Sequence, residues 1–179
     1  EVGSIQLELL YLSKITNNSI FKEKIQQVND HLFELNVPLW GQFVDVHSNR
    51  TSGNLITLGS RVDSIYEYYL KQYLLHKDER ALLMYLESMT SMFSELLMPS
   101  FAEELLVITE KSKDQSTNEY RLIGKMDHLV CFVPGLLYLG VMQAPLAKHV
   151  KELHITFADA ILETCYQSYQ RTPTGLAPE

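Results

Sequence analysis

The densest cluster of chemistry-bearing residues in this 179-residue chain is Gly59-Ser60-Arg61-Val62-Asp63-Ser64-Ile65-Tyr66-Glu67-Tyr68-Tyr69. Asp63 and Glu67 are four positions apart, so on a helix they point the same way, about one turn from each other. Like charges at that spacing repel mildly, and Arg61 could neutralise them. With Tyr66, Tyr68 and Tyr69 beside them, the acids suit a sugar site. Carboxylates hydrogen-bond hydroxyls or move protons, and aromatic faces cover the C–H face of a sugar. The same residues also fit an ordinary helix start, with Asp63 complementing the helix dipole and Glu67 in solvent.

A second segment, Lys125-Met126-Asp127-His128-Leu129-Val130-Cys131-Phe132, opens an apolar stretch. Asp127 could cap a helix there. His128 could bind a ligand or hydrogen-bond within the core. Pro134-Gly135 suggests a kink or a close approach of backbones. The chain ends in Gly175-Leu176-Ala177-Pro178-Glu179, where a carboxylate after proline could be held rigidly or simply be solvated. Cys131 and Cys165 fall on different expected helices. Paired, they would close a loop of 34 residues, worth a few kcal/mol; in a reducing compartment they would be buried thiols. His149 and His154 share no helix face well and do not read as a metal pair. Met89, Met92 and Leu96 form a stripe at helical spacing that reads as core.

The elements that must position these residues are mainly helical. Apolar periodicity marks helices over 4–14, 20–35, 60–75, 79–98, 128–140 and 147–169. Thr16-Asn17-Asn18-Ser19 breaks the first from the second. Ser60-Arg61-Val62-Asp63 has the form of a capping box, and Asp78 that of an N-cap. Residues 43–46 and 54–58 read as a hairpin, 105–109 as a short strand and 111–118 as a polar loop. Stacked helical hairpins or an ordinary bundle would both satisfy this pattern. The net charge of -7 argues against nucleic acid or an anionic membrane as the main partner. No apolar run reaches the ~20 residues that span a bilayer. Two N-x-S/T sequons, at Asn17 and Asn49, are weak pointers to a secretory route.

Taken together, the Gly59–Tyr68, Lys125–Gly135, Glu163–Gln167 and Thr174–Glu179 segments, with the opening Glu1-Val2-Gly3-Ser4-Ile5-Gln6-Leu7-Glu8, resemble motifs of class I α-1,2-mannosidases, glycoside hydrolase family 47, in order and at compatible spacing. The resemblance covers essentially the whole chain. It implies an all-α fold that is part of an (αα)7 barrel with short β-hairpins between helices. Residues 1–179 would be the central part of one catalytic domain, incomplete at both ends, and unstable and inactive alone. The implied activity is inverting hydrolysis of terminal α-1,2-linked mannose from high-mannose N-glycans on glycoproteins. The alternative is a degradation-enhancing relative that binds glycans with little or no trimming. A non-catalytic helical interaction module is a third class that composition permits.

By this resemblance Asp63 matches an active-site carboxylate and Glu179 the general base. Glu1, Glu67 and His128 match pocket residues, and Arg61 an arginine that biases branch choice in enzymes of the endoplasmic-reticulum type. Val62 stands where the family usually has Gly or Ala. Cys131 and Cys165 match a structural disulfide. The usual general acid and a calcium-binding threonine would lie outside this segment, so Ca2+ is implied with no metal ligand inside it. The implied location is the endoplasmic reticulum, lumenal or by a membrane anchor elsewhere, with the Golgi as alternative.

Overall fold

The computed structural model describes residues 2–45, 47–48, 50–100 and 105–178. Six α-helices carry most of them: α1 (Gln6–Thr16), α2 (Ser19–Leu35), α3 (Asp63–His76), α4 (Glu79–Glu95), α5 (Val133–Gln143) and α6 (Lys148–Gln170). They pack as three successive antiparallel hairpins, α1 with α2, α3 with α4 and α5 with α6. Within this set α3 lies between α1 and α5, and α2 touches α4. Helices are thus layered in an inner and an outer row.

Short polar residues set the hairpin turns. Asn17 closes α1 with a left-handed backbone (φ 52°), and the Asn18 side chain then accepts from Ile20 N at 3.1 Å to start α2. Asn36 (φ 46°) and Lys77 (φ 57°) end α2 and α3 in the same way. The Asp78 side chain caps α4 through Arg80 N at 3.1 Å. Asparagine tolerates this conformation because its side chain can hydrogen-bond locally. Between the rows lies the core, built around Trp40, Tyr66, Tyr69, Tyr85, Met89 and Met92.

The strands depart furthest from the pattern in the sequence. β1 (Gly41–Asp45) and β2 (Arg50–Ile56) form the expected hairpin. β5 (Glu110–Lys113) and β6 (Tyr120–Ile123) form a second one where a polar loop was expected, and β2 pairs with β5 to give a four-stranded antiparallel sheet, β1-β2-β5-β6. Lys111, Ser112 and Lys113 lack apolar alternation because this hairpin makes a wet edge; its strands are specified by ladder bonds. β3 (Leu97–Pro99) and β4 (Leu106–Ile108) pair separately. Leu97 therefore leaves the helix earlier than periodicity implies, to face Ile108.

Two helix starts also differ. α3 begins at Asp63 and the Ser60 side chain does not cap it; Val62 N and Asp63 N instead donate to Gly59 O at 3.1 and 3.0 Å. Residues His128–Phe132 form a 3-10 turn, and Pro134 sits in the first turn of α5 rather than at a kink. Proline fits there because its missing N–H would lack a helical partner anyway.

Candidate functional site

The N-terminus of α3, the loop before it and the β1 strand enclose a cavity of about 230 Å3. Its lining includes Val2–Ser4, Trp40–Val44 and Arg61–Ile65. Asp63 is half-buried in it, and its Oδ1 accepts from Ser64 N at 2.9 Å and Ser64 Oγ at 3.3 Å. Among the described residues Oδ2 has no hydrogen-bond partner. Gly3 lets the start of the chain lie against α3, since a Cβ there would meet Ile65 Cγ1 at 2.6 Å. Glu1 and Glu179 themselves lie outside the described residues.

Arg61 turns the chain into α3 with a left-handed backbone (φ 76°). That conformation disfavours a residue carrying Cβ. Its exposed guanidinium lies over the Phe43 ring, 5.4 Å from the centroid, so a cation and a half-exposed ring sit together at the cavity rim. From sequence Phe43 is only a strand residue; its side of the strand becomes legible once β1 borders α3.

Glu67 does not share this cavity. It pairs with Lys71 one turn along and borders a second hollow with Phe132, Gly135, Leu136 and Leu139. The four-residue spacing does put both acids along one helix, but the loop before α3 folds over the first of them alone. Of the three tyrosines, Tyr66 and Tyr69 are 0% and 1% exposed and belong to the core; Tyr66 Oη accepts from Trp40 N at 2.9 Å. Burial raises the phenols of both beyond the ordinary range. Only Tyr68 reaches the surface, donating to Glu8 Oε1 at 2.5 Å. Burial, then that bond and the charges of Glu8 and Glu67, push its phenol to about 12.

His128 is half-buried, its Nε2 2.6 Å from Tyr169 Oη on α6. The rings meet edge to face at 5.4 Å. Cys131 Sγ is bonded to Cys165 Sγ, with Cα atoms 5.9 Å apart, so the 3-10 turn is fastened to α6. Asp127, read in sequence only as a cap, does more. Its Oδ1 accepts from Leu129 N at 2.8 Å and its Oδ2 from Ser60 N at 3.2 Å. Burial acts to raise its pKa, but bonds from Leu129 and Ser60 and the charge of Lys125 hold it below the usual carboxylate range. Gly59 makes this approach possible, because a Cβ there would lie 2.5 Å from Asp127 Cγ. Contacts thus run from the Arg61–Asp63 loop through Asp127 to His128 and Tyr169.

Glu110, between the expected strand 105–109 and the expected loop 111–118, is 1% exposed. Its carboxylate lies 3.5 Å from Lys125 Nζ, two residues before Asp127. No composition signal marks a lone glutamate as buried. Among the described residues no group of three or more His, Cys, Asp or Glu is arranged to hold a metal ion.

The model of glycosyl hydrolase family 47 matches residues 1–179. Similar curated proteins include the endoplasmic reticulum mannosyl-oligosaccharide 1,2-alpha-mannosidase of Homo sapiens, 38% identical over all of this chain and 25% of that protein. The enzyme of the same name from Saccharomyces cerevisiae is 34% identical, over all of this chain and 35% of its own length. Mannosyl-oligosaccharide alpha-1,2-mannosidase IA of Drosophila melanogaster is 33% identical, over all of this chain and 26% of its own. The chain therefore spans about a quarter to a third of the length of these relatives.

Proposed function

Because the chain belongs to glycosyl hydrolase family 47, we propose that the protein it represents hydrolyses terminal α-1,2-linked mannose from high-mannose N-glycans, with inversion. The observation that carries this reading is Asp63: a half-buried carboxylate with one oxygen tied to Ser64 and the other without a partner among the described residues, in a small cavity rimmed by Arg61 and Phe43. A fixed carboxylate is what moving a proton to or from a glycosidic oxygen or a water requires. Inversion needs two such groups about 6.5–9.5 Å apart with the water between them. Arg61 would donate to sugar hydroxyls and Phe43 would cover an apolar sugar face. His128 would contact sugar through the nitrogen that Tyr169 leaves available.

The three hairpins are taken as consecutive pairs of an (αα)7 toroid, and residues 1–179 as the middle of one catalytic domain. Calcium, which the family resemblance implies, does not fit the donors described here and would be held by residues beyond them. The names of the relatives and the Cys131–Cys165 bond support action in the endoplasmic reticulum, since disulfides persist in oxidising compartments.

The test uses the full-length protein and a high-mannose N-glycan. Asp63→Asn should lower mannose release at least ~100-fold, the scale of a lost acid–base group, while glycan binding persists. Undiminished release would remove Asp63 from the mechanism. Glycan binding without mannose release by the unaltered protein would select the non-trimming alternative.

A further inference from the structure

At the end of the helices opposite the α3 N-terminus, four of them surround a separate hollow of about 570 Å3. It receives Lys14 from the last turn of α1, Lys22 from the first turn of α2, His76 from the last turn of α3 and Arg80 from the start of α4. Three features single it out. First, its lining carries Lys14, Lys22 and Arg80 against the carboxylate of Asp78, a cationic excess on a chain of net charge -7. Arg80 is engaged by Asp30 and Asp78, whereas among the described residues Lys14 and Lys22 have no acid partner. Second, Lys22 sits in the first turn of a helix that has no acid there. A cation at that end opposes the helix dipole, so the position is not explained by helix stability. Third, the hollow has a polar floor. Asn29, 5% exposed, donates from Nδ2 to Gln72 Oε1 at 2.7 Å, but its buried Oδ1 has no partner.

The hollow therefore offers ammonium donors for negative oxygens and one buried acceptor that calls for a hydroxyl. A sulfate supplies the first alone. A phosphate carrying one proton supplies both. We propose that this hollow binds a singly protonated phosphate group, free or on a phosphomonoester. Lys14 and Lys22 contact its charged oxygens and Asn29 Oδ1 accepts from its P–OH. The state of His76 fits this geometry: burial and then the charges of Lys14 and Lys22 hold its pKa below the ordinary value, with Asp78 opposing. An anion between these groups would relieve that repulsion.

The experiment titrates the full-length protein with inorganic phosphate, methyl phosphate and sulfate at matched ionic strength near pH 6.5. Binding is read by calorimetry, and the His76 titration midpoint by NMR. Phosphate should bind, raise the His76 midpoint and exceed sulfate in affinity about tenfold or more, the scale of one hydrogen bond with a charged partner. Lys14→Ala/Lys22→Ala, both exposed positions, should weaken phosphate at least tenfold and abolish the rise at His76. Lys24→Ala, whose side chain bonds Gln27, should change neither. Tighter binding of methyl phosphate would identify an ester as the ligand, and weaker binding the free ion. Equal binding of sulfate and phosphate, or undiminished binding by the double variant, would overturn the proposal. None of these readouts depends on mannose release.

Discussion

Asp127 Oδ2 accepts from Ser60 N at 3.2 Å, across 67 residues of sequence, while its Oδ1 holds the start of the His128 turn. One carboxylate thus fixes the distance between the loop that presents Asp63 and the turn that presents His128. Asp127→Ala should destabilise the protein by about 1–3 kcal/mol through the unpaired N–H groups. It should also lower mannose release without removing glycan binding. Thermal unfolding and a KM-against-kcat comparison on the full-length protein check both.

Gly59→Ala should injure the same contact by a different route, because the new methyl would occupy Asp127's place. The two substitutions together should cost less than their sum. A double-mutant cycle that came out additive would show that Gly59 and Asp127 act separately.

Arg61→Gly should relax the left-handed backbone at φ 76°, a gain of about 1 kcal/mol offset in part by the lost contact with Phe43. It should at the same time alter which mannose is released first from a high-mannose glycan. Thermal unfolding and timed analysis of the products separate the two effects.

His154 is 2% exposed between Tyr85 and Phe93, and burial pulls its pKa to about 4. An unfolded histidine titrates near 6.5. The depressed folded value means that its contribution is fully present above about pH 6.5 and is lost as pH falls towards 4. His154→Phe should flatten the fall of stability across that window, as followed by unfolding at a series of pH values.

Replacing Cys131 and Cys165 together by serine should cost about 4 kcal/mol, the chain-entropy contribution of a 34-residue loop. The loss should be felt most at His128, whose turn would no longer be fastened to α6. Broadening of the His128 NMR signals is the local measure.

Most of the helical frame was legible from sequence because it rests on local rules. Apolar periodicity gave the helices, and Asn17, Asn18 and Asp78 punctuate them as their chemistry requires. The second hairpin of the sheet was not, since Lys111, Ser112 and Lys113 carry no alternating pattern and the strand it docks on, through Leu55 and Ile56, lies more than 50 residues away. At the candidate site, residue types and spacing single out Asp63, Arg61 and His128, while their roles toward a sugar come from the family resemblance. Assigning the neighbouring tyrosines to a sugar surface failed for Tyr66 and Tyr69, because a helix between two others has little surface to give. The double role of Asp127 depends on a loop folding back onto it, and a cap signal describes only the local half. Glu1 and Glu179 lie outside the described residues, so their places in the site rest on the resemblance alone.

Stacked helical pairs ordinarily open from their ends, one pair at a time, because each touches only its neighbours. The bonds between Leu55–Ile56 and Lys111–Ser112 change that for this molecule. They join the segment leading into the second pair to the segment leading out of it, enclosing α3 and α4 in a closed circuit of backbone. Opening that spreads in from a neighbouring pair must therefore halt at this rivet until both sides yield together. Hydrogen exchange should find the sheet and the central pair exchanging as a single cooperative block.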